Sequence, residues 1–542
     1  MKSQSRALSN KQIARAALIV LGGFLASGVL GFIRQGVLAA QFGTGTAFDA
    51  FIAAQRIPEI IFVLVAGGAL GSSFIPIFAK QREDSEANAW QLASAVMTFA
   101  AIAAAILGIL TAIFADSIVA NILLRDSSPD VQHLTANMMR LMMLTPFIFA
   151  ISGLVMGILQ SHGLFFLPSV AVSMNSIGIM IGALFIAPNL PQGSDVAMVG
   201  ANNVYGLAYG AVLSAVLHLL IQIPGLLQVK ARLRPLVNFR IRGVVDILRL
   251  MGPRVLGLAV VQVNFVVNII LADGMVEGSI AALSVAFTLM FTALGIIGQS
   301  VGSAVFPTLS ALYAENDMEG FKNRLSTAMR SVLFLSFPAM VAFIVLGKPI
   351  VSIFERGEWT AESTAATAWA LAFYATGIAG FALLEILSRA FYALSDTWTP
   401  VVVGMGAMLS NIALSLIFIR FIGDPDNLVR GAFAGLALAN ALTTLIEAAV
   451  LWWLMRRRIG TVNDKFVLDG SWRAIVASLA MGLVLWGMVQ ISPVQDFRLA
   501  LAGGIIGGGV FFGVSIALGL DEAKAVPNML LRRFSKRKQK HE

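Results

Sequence analysis

The sequence predicts an all-α, polytopic membrane protein of about 14 transmembrane helices. Three observations carry this: 58% of its 542 residues are hydrophobic, only 12% are charged, and the basic residues gather in alternate loops. With a mean hydropathy of +0.84, a soluble domain would lack the polar groups to cover its apolar surface. Lipid must be the solvent for most of the chain.

Each crossing needs about 20 mostly apolar residues, and the windows follow in order. The first, 13–33, is too long for a secretory signal and runs into Gly-rich, Arg-bearing sequence instead of a small-residue cleavage site, so it is expected to remain as a span. The second, 48–77, carries Asp49, Arg56 and Glu59. Windows at 89–115, 134–160, 166–187 and 204–227 complete a first lobe, residues 1–227. An Arg-rich amphipathic stretch, 228–249, reads as a surface helix linking the lobes on the cytoplasmic side. Windows at 250–272, 280–306, 328–354, 366–394, 401–419 and 431–455 form a second lobe, residues 250–455. Two more, 474–490 and 499–520, lie in 456–520 and leave a basic tail at 521–542. The windows 89–115, 401–419, 474–490 and 499–520 carry no charge at all.

The basic residues orient these spans. Lys2, Arg6, Lys11 and Arg15, then Lys80 and Arg82, the Arg-rich stretch from Lys230 to Arg249, Lys322 to Arg330, Arg456 to Arg473 and the tail all fall on one side if both termini are cytoplasmic. Arg34, Arg125, Arg356, Arg420, Arg430 and Arg498 fall on the other, so the positive-inside rule places both ends in the cytoplasm of a bacterial inner membrane. The net charge of +9 therefore reads as topology and contact with anionic membrane lipids, with no nucleic acid as partner. Without cysteine, disulfides, thiolate metal sites and cysteine nucleophiles are excluded.

An internal repeat organises the lobes. GGALGSSFIPIFAKQRED, from Gly67, and GQSVGSAVFPTLSALYAEND, from Gly298, each end a span and enter a polar loop. Pro76 and Pro307 are separated by nearly the same distance as Pro168 and Pro400, which both open spans with an Asn following (Asn175, Asn411). A duplication of six helices keeps both copies in the same orientation, so they are related by an axis along the membrane normal with a substrate path at their interface.

Ionisable residues inside spans are costly and are functional candidates by default. Asp49, Arg56 and Glu59 share one helical face by their spacing. Arg34, Arg56 and Arg254 suit an anionic headgroup, since guanidinium offers a planar fork to phosphate oxygens. The alternative is structural: Arg56 pairs with Asp49 or Glu59, while Arg34 snorkels to the interface. Arg140, Lys348 and Glu447 read as interfacial or structural. Asn411 with Ser415, and Asn440 with Thr444, are each one turn apart and form a weak candidate for a cation site, although no carboxylate accompanies them. Interhelical hydrogen bonding is the competing account. Enzyme chemistry is not expected: His133, His162, His218 and His541 are scattered, and neither metal ligands nor a cofactor motif converge.

The segment FERGEWTAESTAATAWALAFYATGIAGFALLEILSRAFYALSDTWTP, 354–400, resembles the MurJ (MviN) family of lipid II flippases within the MATE-like superfamily. Its RAFYALSDTWTP run, with Arg389, Asp396 and Pro400, is the most specific piece and is expected to serve gating or structure. VLGFIRQGVLAAQFGTGTAFDAFIAAQRIPE, FIPIFA and MGPRVLGLAVVQVNFVVN extend the resemblance over nearly the whole chain. It implies fourteen helices, a cationic central cavity for an undecaprenyl-pyrophosphate-linked precursor, and alternating access without ATP hydrolysis. It also makes cell-wall synthesis proteins candidate partners. Arg34, Asp49 and Arg56 match charged family positions. Others depart: Ser27 and Gly28 stand where the family usually has Ser-Arg, Gln35 at an acidic position, Phe62, Val63, Gly67 and Gly68 at an Arg pair and Glu-Gly, and Phe287 and Thr288 at an Asp-Arg pair. Export of a less anionic lipid or amphiphile, and a non-transporting scaffold, are the alternative functions.

Overall fold

The structure is a computed structural model that describes residues 10–65 and 69–524. It is all-helical apart from a small hairpin pairing Met198–Val199 with Asn202–Asn203. Backbone groups in lipid have no water to bond, which leaves helices as the way for apolar segments of this kind to cross.

Two compact units emerge from the packing: residues up to Ala281 together with Arg356–Thr360, and Ala282–Glu355 together with Ala361 onward. The first holds α1 (Asn10–Phe42), α2 (Thr46–Val65), α3 (Ala69–Asp84), α4 (Glu86–Ile113), α5 (Ala115–Ile118), α6 (Pro129–Met142), α7 (Leu144–Ser161), α8 (Phe166–Ile181), α9 (Tyr205–Leu220), α10 (Ile223–Gln228) and α11 (Val244–Asp273). Helix α12 (Ser279–Leu294) starts at its end and continues into the second unit. There follow α13 (Ser300–Ala314), α14 (Met318–Val345), α15 (Gly347–Val351), α16 (Ala361–Ala375), α17 (Ile378–Ala393), α18 (Trp398–Phe418), α19 (Phe433–Ile459), α20 (Asp464–Ile491) and α21 (Phe497–Ala517).

Among the described residues, 10 helices are long and apolar enough to cross a membrane, or 11 if α16 and α17, bent by 48°, make one span. The chain is therefore a multi-pass membrane protein. Helix α2 falls outside that set because Asp49, Arg56 and Glu59 interrupt its 20 residues. The bend before α17 brings it onto α19, where a Cβ on Gly377 would lie 2.7 Å from Ala441 Cα.

Helix α11 packs against α2 and α3 and falls within the first compact unit. One expectation changes. The 228–249 stretch is not a surface helix: residues 231–238 run without helical structure between α10 and α11. Pro235 cannot donate to a helical ladder, and its neighbours find other partners. Arg234 N donates to Ser94 Oγ at 3.0 Å and Leu236 N to Thr98 Oγ1 at 2.9 Å, while Phe239 stacks on Phe99 at 4.1 Å.

Residues 356–360 enter the first unit as a strap over the end of α1. Glu358 N donates to Ala40 O at 2.9 Å, and Trp359 is fully buried. Gly43 ends α1 at φ +58° and Gly357 turns the strap at φ +59°, the left-handed region that glycine enters freely. A Cβ on Gly43 would lie 2.5 Å from Glu358 O, and one on Gly357 would run into the Ala40 carbonyl.

In the second unit the C-terminal pair α20 and α21 packs on α14 through Phe334 and Phe511, 4.9 Å apart. Arg330 of α14, 7% exposed, pairs with Glu522 at 2.5 Å, lies 4.2 Å over the Phe466 ring and fills the notch left by Gly470. Removing one member of a buried pair leaves an uncompensated charge worth about 3–5 kcal/mol. Glu522→Gln is accordingly expected to lower the thermal unfolding midpoint of purified protein clearly, whereas replacing the exposed Asp521 should not. An unchanged midpoint would contradict the clamp.

Candidate functional site

A helix start exposes N–H groups that have no partner within the helix and carries a partial positive charge. In the first unit, α2 and α12 meet this need for each other. Asp49, in the first turn of α2, accepts from Gly278 N at 2.8 Å and Ala281 N at 2.6 Å. Glu277, just before α12, accepts from Thr46 N at 2.7 Å across 231 positions of sequence, the spacing of the internal repeat. Both Asp49 oxygens are thus engaged by backbone. Asp49, expected from the resemblance as a charged residue of the cavity that binds substrate, caps α12 in this structure.

Two turns further along α2 stands Arg56. Its Nη1 donates to Glu59 Oε2 at 3.0 Å, and its guanidinium lies 4.7 Å over the Phe265 ring of α11, a favourable cation–π geometry. Its Nε has no hydrogen-bond partner among the described residues. Arg34, on α1, also has an unpartnered Nε, makes no ion pair among those residues, and has Glu59 as its opposite-charge neighbour. On α11, Gln262 Oε1, Asn264 Oδ1 and Asn268 Oδ1 are likewise unpartnered. The first unit therefore presents one guanidinium paired with a carboxylate and stacked on an aromatic ring, a second that feels the same carboxylate's charge, and three amide oxygens on α11 without partners among the described residues. The Arg254 side chain lies outside the described residues, as do Gly67 and Gly68.

Other singled-out residues have structural partners. Arg140 bonds Asp116, Asn137 and Ala112 O. Arg389 bonds Glu385 and donates to Ser303 Oγ at 2.8 Å, tying α17 to α13. Asp396 accepts from Thr399 N at 3.0 Å and from its hydroxyl at 2.7 Å, and pairs with Arg458. Burial pushes the Asp396 carboxyl upward, but those bonds outweigh it and hold it below its ordinary range. Pro400 sits in the first turn of α18, where a missing N–H costs nothing. The motif is thus a capped helix start.

The polar cluster of the second unit differs from the hydrogen-bonded reading. Asn411 and Ser415 of α18 are 1% and 0% exposed, yet neither Asn411 amide atom nor the Ser415 hydroxyl has a partner among the described residues. Asn440 Oδ1, Thr443 Oγ1 and Thr367 Oγ1, on α19 and α16, are unpartnered too, while the Thr444 hydroxyl donates to Asn440 O at 2.9 Å. These are neutral groups, which suit water or a monovalent cation better than a hard divalent ion.

Two positions where charges were expected from the resemblance are packed with rings. Phe62 lies 5.0 Å from Phe149, and Phe287 lies 5.6 Å from Phe291 and 5.5 Å from Tyr374. Sequence reasoning missed Phe265 and Glu277. The first looks like any apolar residue of α11. The second could have been found by laying Thr46 onto its repeat partner.

The family model described as lipid II flippase MurJ matches residues 38–500. The chain is 28% identical over 527 residues to a probable lipid II flippase MurJ of Vibrio cholerae, covering 94% of this chain and 96% of that protein. It is 27% identical to the lipid II flippase MurJ of Burkholderia cenocepacia, covering 94% and 98%. A solved lipid II flippase MurJ in an inward closed conformation superposes with TM-score 0.75 at 24% identity, over 93% of this chain and 99% of that one. An inward-facing multidrug resistance MATE transporter of the MOP superfamily gives 0.65 at 17%, over 81% and 96%; these two likenesses show the fold.

The capping account separates Asp49 from the arginines. Each charge-assisted bond is worth about 1.5–3 kcal/mol, so Asp49→Ala is expected to reduce folded protein in the membrane, with Asp49→Asn intermediate. Immunoblots of membrane fractions and thermal midpoints measure this. Normal abundance and midpoint in Asp49→Ala would reject the cap.

Proposed function

We propose, since the chain belongs to the lipid II flippase MurJ family, that it translocates lipid II across the bacterial cytoplasmic membrane by alternating access. It acts as a transporter without chemical catalysis. The observation that carries this reading within the chain is the arginine pair. A diphosphate bridging a lipid and a sugar offers several anionic oxygens, and Arg34 and Arg56 have donors left to meet them. Charge-assisted contacts of this kind are about twice as strong as neutral ones. Phe265 fixes the Arg56 plane, so less side-chain entropy is lost on binding.

The finer topology belongs to the same proposal. Adding α1, α2 with α3, and α11 to the apolar helices gives about 14 crossings, arranged as two six-helix lobes, residues 1–227 and 250–455, with a C-terminal pair at 456–520. Even parity and the distribution of basic residues favour both termini in the cytoplasm.

A second reading, export of a less anionic amphiphile, is favoured by Phe62 and Phe287, which put aromatic packing where the resemblance leads one to expect charge. Tight binding of lipid II that inorganic pyrophosphate competes away would exclude it.

Expression of the chain in cells depleted of their own flippase is expected to restore growth, and failure at normal membrane abundance would count against lipid II as cargo. Arg34→Ala and Arg56→Ala should each abolish rescue while leaving membrane abundance intact. Loss of abundance in both would return the arginines to a purely structural account.

A further inference from the structure

Among the described residues Glu59 bonds Arg56, three residues away on the same helix, and caps no helix start. Its side chain is 42% exposed, against 14% for Arg56, so the carboxylate is the accessible member of the pair. Arg34, whose Nε has no partner among the described residues, makes no direct bond to Glu59 and feels its opposite charge at longer range. Glu59 thus pairs directly with Arg56 and acts on Arg34 through its charge.

A carboxylate presents to guanidinium the same kind of planar, anionic oxygen edge as a phosphate. The two arginines and Glu59 together carry a single positive charge. A diphosphate diester carries two negative charges and would neutralise the arginines alone, but with Glu59 still on Arg56 the site would hold excess negative charge in a low-dielectric setting, which is unfavourable. Rotation of the Glu59 side chain releases Arg56 without moving α2, because the two residues share one helix face.

We propose that Glu59 is a built-in counter-ion that occupies the place of the headgroup phosphate in the empty site and must yield when the headgroup binds. This rests on the lipid II reading and adds to it a residue that sets affinity. Without a substrate, Glu59 screens the mutual repulsion of Arg34 and Arg56. With a substrate, it competes, so the headgroup is held weakly enough to leave on the other side of the membrane. A transporter gains nothing from binding its cargo equally tightly at every stage, since differential affinity alone moves its equilibrium.

The test uses purified full-length wild type, Glu59→Gln, Arg34→Ala and the double variant, with direct binding of lipid II in detergent and competition by inorganic pyrophosphate. Gln keeps the shape of the side chain and removes its charge. Glu59→Gln is expected to bind lipid II about tenfold more tightly, equivalent to about 1.4 kcal/mol, and to transport it more slowly per molecule in proteoliposomes because release is delayed. The gain should vanish in the Arg34→Ala background. Unchanged or weaker binding in Glu59→Gln, at an unchanged thermal midpoint, overturns the counter-ion. A lower midpoint with weaker binding overturns it equally, by making Glu59 a structural partner of Arg56. Failure of wild type to bind lipid II, or equal binding by Arg34→Ala, overturns the transport reading beneath it.

Discussion

Two helix starts leave N–H groups without partners inside their own helices, and the reciprocal cap between α2 and α12 is how this chain satisfies them. Asp49 serves the start of α12 and Glu277 serves the start of α2. The bonds are short and have a carboxylate as acceptor, and the two to Asp49 are buried, which makes them strong and directional. They fix the rotation of α2 about its axis. Since Arg56 follows Asp49 by nearly two full turns, about 10 Å along the helix, that rotation determines which way Arg56 and Glu59 present themselves. The Phe265 ring then holds the guanidinium from the side of α11. Backbone satisfaction at one end of α2 and anion recognition in its middle are thus parts of one geometry.

The spans and the shared face of α2 were legible because each rests on a local rule: apolar length for the spans, helical period for Asp49, Arg56 and Glu59. The identity of the cap was not, because residue Asp49 finds its partners at Gly278 and Ala281, and no local pattern reports a contact so distant in sequence. The 228–249 stretch shows the reverse error. Its charge pattern suits an amphipathic helix, yet Ser94 and Thr98 on α4 offer acceptors to an extended backbone, and Pro235 removes one helical donor. Tertiary hydrogen bonds overrode local preference there.

Where the resemblance called for further charges, Phe62 and Phe287 now pack against Phe149, Phe291 and Tyr374. A ring in place of a charged side chain removes a desolvation cost and adds apolar contact. In the proposed flippase, fewer charges throw more of the recognition onto Arg34 and Arg56. Local modulation by Glu59 matters more in such a site than in one with many arginines, because one carboxylate then balances a larger share of the positive charge.

The arginines of the helical core sort by how completely they are satisfied. Arg330 has a carboxylate, an aromatic face and a fitted glycine notch; Arg389 has Glu385 and a serine hydroxyl. Each is paired with a carboxylate and held by its neighbours, and breaking such a pair is expensive. Arg56 is half satisfied, and Arg34 has no bond among the described residues. A buried donor left open is tolerated only where something else completes it, and in a membrane helix a bare charge has a still stronger need. The way each arginine is held, more than its position in the sequence, therefore separates those tied to a second helix, such as Arg330 and Arg389, from Arg34 and Arg56. By that criterion Glu59 belongs with neither group: it is engaged enough to screen the site and exposed enough to leave it.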